Sequence, residues 1–212
     1  MFKLVIADKN LSSWSLRPWL VLKQLDEPFL EHHIPLRQPD TRERILAISP
    51  AGKVPVLLDR QLRVWDSLAI CEYLAECFPG AHLWPQDPAL RAEARSVSAE
   101  MHAGFAALRT HLPMDICGRH DTPELTAEVR ADIQRITTLW EDLRQRHHGE
   151  GPFLFGHFTI ADAMYAPVVT RFKSYGVALQ GMAAAYAEHM LALPAMRQWY
   201  ADAAAEVAAA SV

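Results

Sequence analysis

The sequence predicts a mixed α/β domain followed by an all-α domain. Three observations carry this. The first eighty residues alternate between strand-like and helix-like segments, a proline-rich break follows, and every segment beyond the break has helical spacing. With 212 residues, half of them apolar, the chain can bury the core of one large domain or two small ones.

The elements follow in order. Phe2 to Ala7 reads as a buried strand. Ser15 to Leu25 reads as a helix with Leu16, Trp19 and Leu20 on one face, and Phe29 to Ile34 as a second strand. Thr41 to Ala47 is a short helix. Val54 to Leu58 and Leu62 to Val64 pair as a hairpin, and Ser67 to Phe78 is a helix with Leu68, Cys71, Leu74 and Phe78 at helical spacing. The order β-α-β-α-β-β-α implies a mixed sheet with helices packed on it. Three prolines and a glycine between Phe78 and Pro88 mark a linker, so the expected division is residues 1–80, a linker at 81–88, and residues 89–212.

In the second domain, Ala94, Val97, Met101, Phe105, Leu108 and Leu112 recur at intervals of three and four. They predict one long amphipathic helix ended by Pro113. Leu125, Val129, Ile133, Ile136, Trp140 and Leu143 predict a second, with Pro123 near its start, where proline is tolerated. A third spans Thr159 to about Lys173. The alanine-rich remainder from Gly181 divides into two helices near Pro194.

Charge is mild, with 21 basic and 25 acidic residues, and gives no basic footprint for nucleic acid. No apolar run approaches the ~20 residues that span a bilayer, and the N-terminus is charged too early for a secretory signal. Cys71, Cys77 and Cys117, an odd number without paired spacing, suit a reducing cytoplasm and are expected as small buried hydrophobes. His32-His33 and His147-His148 are adjacent pairs, and neighbours on a strand point to opposite faces, so no metal site is expected.

Three motifs carry chemistry. Lys53-Val54-Pro55 precedes an apolar strand, and Pro55 must begin that strand or sit at a bend, because it cannot donate to a ladder. Spacing alone leaves open whether its peptide bond is cis. Nine residues past Leu57, Asp66-Ser67 opens a helix with a carboxylate, a hydroxyl and free N–H groups. Together they could cradle a small peptide with a charged amino-acid end. Between the first strand and first helix, Asn10-Leu11-Ser12-Ser13-Trp14-Ser15 sets three hydroxyls at a helix start, where serine is a favoured cap. Thr159-Ile160-Ala161-Asp162 fits a capping box, with Phe158 and small Ala163 as a weak staple; it is structural.

Through these motifs the chain resembles the cytosolic glutathione S-transferases, serine-type and similar to zeta or theta members from bacteria. Val54-Pro55 resembles that family's cis-proline turn, Asp66-Ser67 the pair that holds the γ-glutamyl end of glutathione, and Thr159 to Asp162 its capping box. The resemblance implies a thioredoxin-like first domain that binds glutathione as co-substrate, and a helical domain that lines the electrophile site. Ser-Ser-Trp-Ser-Leu-Arg is similar to the zeta-class Ser-Ser-Cys-Ser-Trp-Arg, which places the catalytic serine at Ser12. Ser13 is the runner-up, expected to cap the helix, and Ser15 stays open. Trp14 stands where that class has cysteine. Lys53 would meet the glycyl carboxylate, Val54 and Pro55 the peptide backbone, Ser67 the γ-glutamyl carboxylate and Asp66 its ammonium. Trp14, Met101, His102 and Phe105 would touch the second substrate.

The energetics suffice without a metal. Lowering a thiol from ~8.5 by about two units takes ~2.7 kcal/mol. A hydroxyl bond to the anion contributes ~1.5–3 kcal/mol and a helix N-terminus ~0.3–1 kcal/mol. The expected activity is conjugation of glutathione to a small electrophile, or peroxide reduction by glutathione. The alternatives are a glutathione-dependent isomerase of the maleylacetoacetate type and a non-catalytic binding or regulatory module of the same fold. The resemblance also implies a homodimer in the cytoplasm, acting in detoxification, with no nucleic-acid or membrane partner.

Overall fold

The computed structural model describes residues 1–121 and 124–210. The first domain holds strands β1 (Phe2–Ile6), β2 (Phe29–His33), β3 (Val56–Asp59) and β4 (Leu62–Trp65), and helices α1 (Ser13–Gln24), α2 (Thr41–Leu46) and α3 (Ser67–Cys77). The sheet order is β2-β1-β3-β4, with β1 parallel to β2 and antiparallel to β3, and β3 antiparallel to β4. The β-α-β-α-β-β-α order and the mixed sheet match the expectation, with ends displaced by one or two residues. β3 begins at Val56, after the proline that cannot donate.

Alternation along β1 assigns its faces. Leu4 and Ile6 join Leu16, Trp19 and Leu20 of α1 and Ile70, Cys71 and Leu74 of α3 in the main core. Val5 points the other way, into a small cluster with Ile34, Ile45 and Val56 under α2.

Helices α4 (Pro88–Ala103), α5 (Ala106–His111), α6 (Ala127–His147), α7 (Ile160–Ser174), α8 (Gly181–Ala192) and α9 (Pro194–Ala210) form the second domain. The expected single helix through Leu112 is two, broken at Gly104-Phe105. Gly104 is extended at φ −96°, ψ −166°, and a Cβ there would lie 2.7 Å from the Glu100 carbonyl oxygen. Phe105 takes the left-handed conformation at φ 57°. The apolar spacing runs through the break because Met101, Phe105, Leu108 and Leu112 all reach the same core. Pro123, expected near the start of α6, lies outside the described residues.

α7 is the axis of this domain, buried along nearly its whole length. Its start is tied by Asp162, which accepts from the Thr159 N–H at 2.8 Å, the Thr159 hydroxyl at 3.0 Å and the Leu154 N–H at 3.0 Å. Phe158 finds an edge-on partner in Phe153, at 5.5 Å between ring centroids.

α1 packs against α3 on one side and against α7 and α9 on the other, so it is the shared wall of the two domains. Trp199 of α9 meets Trp19 edge-on at 4.9 Å and donates its indole N–H to the Lys9 carbonyl at 2.9 Å. Buried Lys9 pairs with Glu31 at 2.7 Å and Asp202 at 2.6 Å. This contact fixes the loop that leads into α1. Of the cysteines only Cys71 is buried. Cys77 and Cys117 are exposed, which corrects the expectation that all three pack as core.

Candidate active site at the domain cleft

The loop after β1 turns on Asp8, whose carbonyl accepts from the Leu11 and Ser12 N–H groups at 3.1 and 2.9 Å. This turn delivers Ser12 to the N-cap of α1. Its Oγ accepts from the Ser15 N–H at 3.3 Å and lies 2.7 Å from the Ser15 Oγ. The Ser15 Oγ in turn accepts from the Ala7 N–H at 3.2 Å. Ser15 is fully buried, so its hydroxyl hydrogen needs a partner, and the Ser12 Oγ supplies it. Ser12 then accepts twice and keeps its own hydrogen for another acceptor. The cap is therefore Ser12, not Ser13 as expected. Ser13 is the first residue of α1, half-buried, and its side chain does not line the cleft.

The Val54-Pro55 peptide bond is cis. Asp66 caps α3 at φ 74°, a left-handed conformation uncommon for a non-glycine residue. Its Oδ1 accepts from the Leu68 and Ala69 N–H groups at 2.9 and 3.2 Å. Its Oδ2 faces His102 Nε2 of α4 at 3.2 Å. Capping thus uses one carboxylate oxygen, and the other is turned to the His102 ring. Ser67, 1% exposed, holds its Oγ 3.5 Å from Arg17 Nη1.

These groups line one cleft of about 710 Å³. Ser12, Trp14, Lys53, Val54, Pro55, Asp66 and Ser67 come from the first domain and His102 from the second. Met101 and Phe105 are not brought there. At 2% and 8% exposure they are part of the hydrophobic core. Their helical spacing identified a buried face, but that face belongs to the core where α4 packs on α7 and α5 on α6, not to the cleft.

Two arginines escaped the sequence reading. Arg17 of α1 stacks on Trp14 with its guanidinium carbon 4.4 Å from the ring centroid, and Arg109 of α5 does so at 4.9 Å. The His102 ring meets Trp14 edge-on at 5.3 Å. Burial, then the charge of Arg109, pulls Arg17 down to about 9. Burial also lowers His102, against the opposing pull of Asp66. Only the Arg at the end of the Ser-Ser-Trp-Ser-Leu-Arg run signalled Arg17, and nothing local signalled Arg109. Asp8, His33 and Glu206, none of them in the lining of the cleft, also converge, with ligand atoms within 4.8 Å of one another, and His33 bonds Asp8 at 2.7 Å.

A cysteine-containing peptide fits this chemistry: a hydroxyl donor at a helix start, a strand-like backbone after a cis-proline, and a serine and carboxylate at a second helix start. Residues 11–77 match the N-terminal domain and residues 88–202 the C-terminal domain of glutathione S-transferase. The chain belongs to the glutathione S-transferase family.

Curated relatives divide in their names. A probable maleylacetoacetate isomerase from Caenorhabditis elegans is 28% identical over 162 residues, 76% of this chain and 74% of that one. A stringent starvation protein A homolog from Haemophilus ducreyi is 27% identical over 178 residues, 84% of this chain and 78% of that one. Among solved structures, a glutathione transferase homolog from Burkholderia with bound glutathione superposes at a TM-score of 0.72, with 21% identity, over 95% of this chain and 97% of that one. A diazinon-metabolizing glutathione S-transferase from the silkworm Bombyx mori superposes at 0.76, with 19% identity, over 98% and 99%. At these identities the structures show the shared fold.

Proposed function

We propose that this glutathione S-transferase joins the glutathione thiolate to a small electrophile, with Ser12 as the hydroxyl that stabilises the thiolate. The observation that carries the reading is the hydrogen-bond accounting at Ser12. Ser15 and the Ser15 N–H fill its acceptor sites, so its donor is left for the sulfur at the start of α1. The γ-glutamyl carboxylate sits on Ser67, with the Arg17 charge behind it. The ammonium takes Asp66 Oδ2, displacing His102. Val54 offers its backbone beside Pro55, and exposed Lys53 reaches the glycyl carboxylate. Trp14 and His102 form the wall that the electrophile meets.

The chemistry is a nucleophilic displacement or addition. The sulfur attacks an electron-poor carbon, a C–S bond forms, and the leaving group departs with its electron pair. Peroxide reduction would use the same thiolate. A second reading, glutathione-dependent isomerisation in a zeta-like member, is favoured by the serine loop and by the C. elegans relative. A binding or regulatory module without turnover is the third reading, and the stringent starvation protein A homologs are relatives whose name states no transferase activity. Retention of the purified protein on immobilised glutathione, followed by turnover of 1-chloro-2,4-dinitrobenzene, tests the proposal. Conjugation supports it, retention without turnover of any electrophile favours the binding module, and failure of both rejects it. Three free thiols suit a reducing cytoplasm. The assembly that fits is a two-fold dimer, the first domain of one subunit against the helices of the other.

A further inference from the structure

We propose that the electrophile itself carries an anionic group, a carboxylate or an oxyanion of similar size, and that Arg109 receives it beside Trp14. This deepens the reading of the cleft as a conjugation site and rests on it for the reaction. The binding of the anion does not.

Trp14 forms the wall next to Ser12 and carries two guanidinium groups, Arg17 at 4.4 Å and Arg109 at 4.9 Å from its ring centroid. Each cation gains from the ring face. Neither takes part in an ion pair among the described residues. Arg109 Nη2 donates to the carbonyls of Met101 and, at 2.9 Å, of His102, which orients the group without neutralising it. The Nε atoms of both arginines are buried and unpartnered. Arg171, also buried, donates to the Leu112 carbonyl at 2.6 Å and adds its charge to the group. The acids within influence are committed elsewhere. Asp66 caps α3 and faces His102, and Asp132 accepts from the Leu108 N–H.

Arg17 is buried and Arg109, just behind the Trp14 wall of the cleft, is half-buried; cations held this close without counter-ions cost free energy that an anion would recover. Glutathione accounts for one anion, its γ-glutamyl carboxylate on Ser67 against Arg17. Arg109 remains. It comes from the second domain, as His102 of the cleft does, and a planar guanidinium whose Nε has no partner suits a carboxylate. In the reaction, sulfur attacks the ring carbon, the C–S bond forms and chloride leaves with its electron pair. The carboxylate is unchanged and only positions the ring.

The test uses 4-chloro-3,5-dinitrobenzoate and 1-chloro-2,4-dinitrobenzene, each rate divided by that of free glutathione thiolate. The parent should prefer the benzoate in kcat/KM by about tenfold or more, as for one charge-assisted bond. Arg109→Met should abolish most of that preference and Arg109→Lys should restore part of it. Calorimetry with 4-nitrobenzoate and nitrobenzene, without glutathione, reads the anion site directly in the parent, Arg109→Met and Arg109→Lys, and equal binding in the parent decides against it without any variant. Tighter binding of the nitrobenzoate, lost in Arg109→Met, upholds the anion site even where glutathione is not turned over, and in that case the conjugation reading fails by itself. Equal binding of the two compounds, or a preference that survives Arg109→Met, overturns the proposal.

Discussion

Replacing Ser12 with Ala removes two things at once, and the structure lets each be sized. The first is structural. The variant loses the cap acceptor for the Ser15 N–H and the partner of the buried Ser15 hydroxyl, which together cost roughly 1–3 kcal/mol of stability. The second is chemical. The thiolate loses one hydroxyl donor worth ~1.5–3 kcal/mol, equivalent to about one to two pKa units. If the bound thiol of the parent titrates near ~6.5, that of the variant titrates between about 7.5 and 8.5, and its thiolate fraction at pH 7 falls roughly 3- to 25-fold. Conjugation at pH 7 should fall by the same factor and recover as pH rises through the new value. The assay is the ultraviolet absorbance of the bound thiolate against pH for parent, Ser12→Ala and Ser13→Ala, beside thermal unfolding of each. Ser13→Ala should shift neither curve by much, since its side chain caps nothing and lies outside the cleft. A larger thiolate shift in Ser13→Ala, or none in Ser12→Ala, would refute the assignment.

The remaining expectations concern the cradle, the fold and the assembly. Ser67→Ala should weaken glutathione binding by ~1–3 kcal/mol in calorimetry, because a carboxylate loses a donor; unchanged affinity would place the γ-glutamyl end elsewhere. Asp66→Asn keeps the α3 cap, since asparagine caps as well as aspartate, and should still weaken binding by removing the charge opposite the ammonium. Burial lifts fully buried Asp162 from 3.8 to about 6, so the native state holds its proton more tightly than the unfolded chain does. Its contribution to stability is therefore greatest below its unfolded value and declines as pH rises to about 6. Denaturant unfolding should show the stability of the parent relative to Asp162→Asn falling by up to ~3 kcal/mol between pH 4 and pH 6.5; a flat difference would contradict the shift. Light scattering at micromolar concentration should show a dimer, and a 23.8 kDa species alone would count against the proposed assembly.

The first domain was legible because each element is written locally. Strand alternation, a proline that cannot donate and an Asp-Ser pair before a helical period each fix a short stretch without reference to the rest of the chain. The capping box at Thr159 is local in the same way. The break at Gly104-Phe105 was hidden because both halves bury the same apolar period, and the glycine was its only mark. Met101 and Phe105 show a related limit: periodicity gives a buried face but not what the face packs against. Arg109 was out of reach for a third reason. It meets Trp14 only in the folded chain, beyond the break at that glycine, joining residues ninety-five positions apart in the sequence. The roles of Ser12 and Ser13 depended on which of the two precedes the first helical turn, and helix ends are the least certain part of a sequence reading.

The most direct measurement is a crystal structure of the chain with glutathione bound. The sulfur should lie within hydrogen-bond distance of the Ser12 Oγ, the γ-glutamyl carboxylate on Ser67 and its ammonium on Asp66, with His102 turned away from the Asp66 carboxylate. A sulfur directed to Ser13 or to solvent, or a peptide seated outside the cleft, would contradict it.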